Sequence, residues 1–193
     1  MKKLTAILLA ATVVLVLFAA CGGNTDNGDN APSAFADSTA ALDAVWAKYT
    51  EGLGEDEKFP TVGGFDYENS TGAGALDIAD TESLVGTFGF PEAEAANIDG
   101  ASSIMHGMNG NVFTAVAFHV AEGADMAAIA ESYKTALTER QWFCGQPDGF
   151  ALIKLDAEYM IAVYAQQPLE GFKAAALAAV EGAEIVAEGS LVA

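Results

Sequence analysis

The sequence predicts an α+β fold: an antiparallel sheet built from two β-hairpins, with helices packed on one face. Two observations lead to this prediction. Apolar runs of strand length occur in two pairs, and a short turn separates the members of each pair. Segments with apolar residues at helical spacing precede and follow these pairs, so the order is two or three helices and then ββα twice. Hairpins that alternate with helices in this way favour an antiparallel sheet.

The first helix is predicted to begin at Ser38 or Thr39, either of which can cap it, and to end at about Gly52. Its apolar face consists of residues at helical spacing, namely Leu42, Val45, Trp46 and Tyr49. The segment 52–74 that follows is rich in glycine and acidic residues, and we expect it to be a loop.

Later helices begin at similar signals. Asp80 is predicted to cap a short helix that ends at Gly89, and Pro91 is predicted to start a single further turn. Asp125 is predicted to cap a longer amphipathic helix. Pro168 is predicted to open the last helix, because its fixed φ angle suits the first helical position.

The first predicted hairpin joins residues 104–108 to residues 112–120 through Asn109-Gly110. This dipeptide suits the positive φ angles of a type I′ turn. Both alternating faces of residues 112–120 are largely apolar, so we expect this strand to lie in the centre of the sheet.

The second predicted hairpin joins residues 150–155 to residues 159–165. The tail at 183–192 is a candidate for a further short strand, although Gly189 weakens that prediction. The two ββα units suggest an old duplication, but they share too few residues to support one.

The N-terminal segment indicates a bacterial lipoprotein signal. Lys2 and Lys3 precede a largely apolar stretch at 4–20, and the residues Leu-Phe-Ala-Ala lead directly to Cys21. Cys21 would then be the first mature residue and would carry the lipid. A transmembrane anchor and an ordinary secretory signal are the alternatives, but the first needs about 20 apolar residues and the second needs no cysteine.

The chain therefore divides into a signal peptide at 1–20, a lipidated cysteine with a flexible linker at 21–37, and a single α+β domain at 38–193. Residues 22–37 consist mainly of turn formers, and such a tether spans about 20–24 Å on average. We expect the domain to lie on the outer face of the cell membrane, held there by its lipid anchor.

The composition restricts the class of partner. The formal net charge is −19, with 27 acidic residues against 8 basic ones, and removal of Lys2 and Lys3 makes the mature chain more acidic still. Such a chain lacks the basic patches that bind nucleic acid or anionic lipid headgroups. A role in binding cations is the functional interpretation of this charge, and a solvated acidic surface is the simpler one.

The candidates for chemistry are few. His106 and His119 lie 13 residues apart, which matches no short metal-ligand motif, so we expect no metal or cofactor. Cys144 could pair with either histidine in a thiol enzyme, although no motif supplies an orienting group or oxyanion donors. Asp66 and Glu68 alternate, and with Asp77 or Asp80 they could assemble a weak cation site, although a solvated loop explains the same residues.

Four stretches between about Asp80 and Ala165 form one pattern: 84–91 (Leu-Val-Gly-Thr-Phe-Gly-Phe-Pro), Val112–Val120, Met126–Arg140 and Phe150–Tyr164. This pattern resembles a family of small membrane lipoproteins of unknown function from Gram-positive gut bacteria. The resemblance covers about half of the mature chain and includes no catalytic motif. It implies a lipid-anchored domain and carries over no functional residue.

The sequence therefore predicts a lipid-anchored extracytoplasmic protein with a non-catalytic role, either in binding or in association with the envelope. Its ligand, a protein or a small molecule, is not identified by the sequence. The alternative is a small surface-anchored hydrolase or thiol enzyme that uses Cys144 and a histidine. A substrate-binding protein of a transporter is disfavoured, because such proteins need two lobes and a longer chain.

Overall fold

The computed structural model describes residues 33–65, 71–166 and 169–192, and within them the chain forms four α-helices and seven strands. The helices α1 to α4 are Ser38–Glu51, Thr81–Phe88, Met126–Glu139 and Leu169–Ala179. The strands β1 to β7 are Thr61–Gly63, Gly74–Leu76, Ile98–His106, Phe113–Val120, Gly149–Lys154, Tyr159–Ala165 and Glu184–Ser190. Two 3₁₀ turns, Glu55–Glu57 and Glu92–Asn97, complete the regular structure.

All the strands belong to one antiparallel sheet with the order β1-β3-β4-β6-β5-β7, and β2 also pairs with β3. The predicted α+β class with an antiparallel sheet is therefore confirmed. The two hairpins, β3–β4 and β5–β6, are joined edge to edge by the pairing of β4 with β6. The tail forms the outer strand β7 beside β5, as its sequence suggested.

The helices cover both faces of this sheet, so the prediction that they pack on one face is wrong. One apolar cluster joins α1 and α4 to residues such as Ala115 and Ile161. The other joins α2 and α3 to the alternate residues of the same strands, such as Val116 and Met160. The physical reason is already present in β4, because a strand with two apolar faces needs a covering layer on each side.

Contrary to the prediction, the glycine-rich segment is not a loop throughout: strand β1 lies within it, and β2 begins at its last residue, Gly74. Strands β1 and β2 lie end to end along β3, so that together they form one edge of the sheet. Where they meet, a side chain on Gly74 would place its Cβ 2.2 Å from the carbonyl carbon of Gly63. The glycine at this position therefore permits a backbone approach that no other residue allows.

Aspartates cap three of the helices. Asp80 and Asp125 accept hydrogen bonds from the first turns of α2 and α3, as predicted. Helix α1 is also capped by an aspartate, Asp37, whose carboxylate accepts from the N–H of Ala40 at 2.8 Å. The predicted cap positions, Ser38 and Thr39, thus lie one and two residues after the observed cap, and Ser38 is the first helical residue.

The residues just before α1 pack against the domain. Ser33 donates a hydrogen bond to Asp156 at 2.6 Å, and the ring of Phe35 lies 5.6 Å from that of Tyr159 in an edge-on arrangement. Residues 33–37, which the sequence placed in the linker, are therefore fixed to the turn between β5 and β6. The remaining linker and signal residues lie outside the described residues.

The turn of the first hairpin is longer than predicted. Strand β3 ends at His106 and β4 begins at Phe113, so residues 107–112 form the connection. Neither Asn109 nor Gly110 has a positive φ angle, and a type I′ turn at this dipeptide is wrong. Local hydrogen bonds hold the loop instead, because the side chain of Asn109 accepts from the N–H of Asn111 at 3.0 Å.

We predict that Gly74→Ala lowers the free energy of unfolding by about 1–3 kcal/mol, because the added methyl group must displace backbone atoms of the neighbouring strand. Gly86→Ala is the matched control, since a Cβ there meets no atom within 4 Å. It should raise the stability by about 0.5–1 kcal/mol through helix propensity. Urea unfolding followed by circular dichroism measures both, and equal stability of the two variants would contradict the close approach of β1 and β2.

Candidate functional site

The residues singled out in the sequence lie at different places in the fold. Cys21 lies outside the described residues. His106 ends β3 and His119 lies near the end of β4, so the two histidines occupy opposite ends of the same hairpin. Cys144 lies in the loop after α3, at the end of the sheet where His106 is found. Within the described residues, no hydrogen bond joins the thiol of Cys144 to either histidine.

Cys144 is exposed, and its backbone has a φ angle of 61°, which is uncommon for a residue with a side chain. Two asparagines of the β3–β4 loop stabilise this conformation. The amide of Asn109 donates to the carbonyl of Cys144 at 2.9 Å, and the amide of Asn111 donates to the carbonyls of Phe143 and Gly145. Sequence reasoning connected Asn109 with a turn, whereas its amide holds two loops together.

His119 lies between two carboxylates at the end of the sheet where the chain enters the domain. Its Nδ1 atom contacts Asp99, and its Nε2 atom lies 3.5 Å from Glu158. Partial burial lowers the pKa of His119, but the hydrogen bonds and negative charges of Asp99 and Glu158 together outweigh that effect. The pKa therefore lies above its ordinary value.

A cleft of about 400 Å³ opens at the opposite end of the sheet. It lies between the C-terminal end of α1, the N-terminal end of α4 and the first hairpin. Its lining residues are Tyr49, Leu53, Glu57, Phe59, His106, Val112 and Gly171. This volume falls within the range of small-molecule sites.

Aromatic rings form the floor of this cleft. Phe113, which begins β4, is fully buried and contacts the rings of Trp46, Tyr49 and Phe59 at centroid distances of 5.4 to 6.1 Å. Phe59 in turn stacks on His106 at 5.3 Å with an interplanar angle of 22°. Each ring is fixed by its neighbours, so the cleft is built on a rigid cluster.

Helix α4 leaves room for the cleft because Gly171 faces Tyr49. A Cβ at Gly171 would lie 3.2 Å from the ring of Tyr49, so a larger residue would press into this space.

Three polar groups border the cleft. Burial and the negative charge of Glu57 raise the pKa of Tyr49 to about 12, so its hydroxyl group stays protonated at neutral pH. The Oε2 atom of Glu57 accepts from the N–H of Gly54 at 2.8 Å, which fixes the carboxylate. The Nδ1 atom of His106 accepts from the N–H groups of Met108 and Asn109, so the ring proton is carried by Nε2.

A second groove, of about 460 Å³, lies between α2 and α3. Of the described residues that line it, Arg140 is the one basic residue, and Glu92 and Glu139 also lie there. The guanidinium of Arg140 donates to the carbonyls of Gly86 and Thr87 and lies 4.6 Å from the ring centre of Trp142. Arg140 therefore caps the C-terminal end of α2, so its donors serve the fold. The aromatic cleft is the better candidate for a binding site.

Within residues 33–65, 71–166 and 169–192, no group of three or more His, Cys, Asp or Glu side chains is placed to hold a metal ion. Asp66 and Glu68, which the sequence suggested as cation ligands, lie outside these ranges. None of the helices in the same ranges is long and apolar enough to cross a membrane.

Comparison with protein families, with curated proteins and with solved structures finds no match for this chain. The resemblance to a family of small lipoproteins therefore stays a prediction.

We predict that the pKa of His119 in the folded protein, measured by NMR titration, lies above 6.5 and falls in Asp99→Asn. Because the folded state binds the proton more tightly, this pair stabilises the protein at low pH. The contribution is lost as the pH rises through the raised pKa.

The difference in melting temperature between wild type and His119→Gln should therefore be larger at about pH 5.5 than at about pH 8.5. A difference that stays constant or grows with pH would contradict the raised pKa of His119.

Proposed function

We propose that this protein is a lipid-anchored, non-catalytic binding protein on the outer face of the cell membrane, and that the aromatic cleft is its ligand site. The proposal rests mainly on one observation: the chain enters the domain at one end of the sheet, and the cleft opens at the other. A lipid on Cys21 would hold the first end towards the membrane and leave the cleft accessible to ligands outside the cell.

Helix α1 sets the separation between the two ends. Its first residue, Ser38, follows the docked segment 33–37, and Tyr49 lies near its last turn. The 14 residues of this helix correspond to about 21 Å at 1.5 Å per residue. The buried hydroxyl of Ser102 donates to the carbonyl of Ser38 at 2.7 Å and fixes the start of the helix to β3.

The non-catalytic assignment is supported by the environment of the candidate nucleophile and bases. A thiol enzyme needs a cysteine and a histidine within hydrogen-bond reach, with a third group that orients the histidine. His119 has its orienting carboxylate, Asp99, but it lies at the end of the sheet opposite Cys144. His106 is nearer to Cys144, but its Nδ1 atom is occupied by backbone donors.

The membrane is the proposed partner through the lipid alone. Two or more acyl chains anchor a protein stably, because each buried methylene contributes about 0.8 kcal/mol and one chain gives only marginal binding. The net charge of −19 opposes any electrostatic attraction to anionic headgroups or to nucleic acid.

We predict that metabolic labelling with a palmitate analogue marks the wild-type protein and leaves Cys21→Ala unlabelled, because Cys21 is the proposed lipidation site. Cys144→Ala is the matched control and should be labelled like the wild type, since Cys144 is the other cysteine of the chain. Fractionation should find the wild type and the control in the membrane and Cys21→Ala outside it. Equal labelling of Cys21→Ala would exclude the lipid anchor.

A further inference from the structure

We propose that the aromatic cleft binds an organic cation, namely an alkylammonium or quaternary ammonium group attached to a small apolar body. The cation would lie among the rings of Tyr49 and Phe59 and close to the carboxylate of Glu57. This inference rests on the proposed function, since it names the ligand class of the same cleft.

The aromatic rings of the cleft favour a cationic ligand. The rings of Tyr49, Phe59 and His106 all line the cleft. The side chain of Phe59 has no polar atom, and that of Tyr49 has only its hydroxyl group, so they offer little to a ligand that binds through hydrogen bonds. The faces of aromatic rings attract cations through their quadrupole, and the attraction increases where water is excluded. Phe59 is half-buried, and contacts to His106 and Trp46 hold its ring in place.

The negative charge of Glu57 also favours a cation. Among the described residues that line the cleft, Glu57 carries the one charged side chain. The neighbouring base, Lys58, pairs with Glu55 at 2.5 Å on the outside of the 3₁₀ turn. Within the described residues Glu57 therefore has no cationic partner, and its charge acts on Tyr49. A bound cation would balance that charge, whereas an anion would be repelled by it.

The apolar walls of the cleft favour an organic cation over an inorganic one. Leu53 and Val112 line the cleft beside the rings. A small inorganic cation bound in the cleft would leave these apolar side chains exposed to water. A methylated ammonium group has an apolar surface and a positive charge together. It therefore matches both the walls and the carboxylate.

The test compares a cation with its uncharged isostere. Choline and 3,3-dimethyl-1-butanol have nearly the same shape and differ in the charge at one atom, and benzoate serves as an anionic probe. Isothermal titration calorimetry of the full chain in a non-ionic detergent measures the dissociation constant of each. We expect choline to bind about tenfold or more tightly than the alcohol and benzoate not to bind.

Two variants and one control test the roles of Glu57 and Phe59 in binding the cation. Glu57→Gln keeps the shape of the side chain and a hydrogen-bond acceptor for Gly54, and it should weaken choline binding about tenfold while leaving the alcohol unchanged. Asp56→Asn is the matched control, because it removes the same charge from an exposed neighbour that does not line the cleft. Phe59→Leu should weaken choline binding about threefold or more through loss of the ring.

Equal affinity for choline and the alcohol, or equal effects of Glu57→Gln and Asp56→Asn, would overturn the cation inference and leave the cleft as a binding site for neutral ligands. Binding of benzoate in preference to choline would overturn it as well. If none of the three probes binds, the cation inference is again overturned, whereas the lipid anchor is tested separately by labelling of Cys21.

Discussion

The pairing of β4 with β6 is the constraint on which the rest of the structure depends. These two strands join the hairpins into one sheet through seven consecutive residue pairs, from Phe113 opposite Ala165 to His119 opposite Tyr159. Every residue of β6 is buried, and β4 is buried except at His119. Because both strands have two apolar faces, neither can be exposed to water, and the sheet must be covered twice.

The face of β4 that meets α1 carries different side chains along its length. Its middle consists of Ala115 and Ala117, whose small side chains allow the helix to pack closely against the sheet. The ends carry larger and different side chains: Phe113 at one end and His119 at the other. The first belongs to the aromatic cluster beneath the cleft, and the second belongs to the ionic cluster beside the docked N-terminal segment.

The two ends therefore have different physical roles. At the His119 end the carboxylates of Asp99 and Glu158 are partly balanced by one histidine, whose ring packs against Tyr159 beside the docked segment. At the Phe113 end Glu57 has no such partner within the described residues. The charge of Glu57 is the one that the proposed cationic ligand would balance.

The sequence by itself determined the elements that depend on local patterns. Local signals predicted the α+β class and the central position of β4, because each acts over one element. They are the aspartate caps of α2 and α3, the helical periodicity of α1 to α4 and the apolar pattern of the strands. The sequence also supplies the signal-like segment that ends at Cys21, which the described residues do not include.

Only the tertiary structure decided what depends on distant residues. It placed helices on both faces of the sheet and formed edge strand β1, and the start of β2, within the predicted glycine-rich loop. It also brought Phe59, Glu57 and Gly171 to one cleft with Tyr49 and His106. None of these residues lies in a motif, since the cleft forms where separate elements meet. Spacing along the chain therefore carries no signal for it, although an aromatic residue at the end of α1 and a histidine at the end of β3 marked two of its sides.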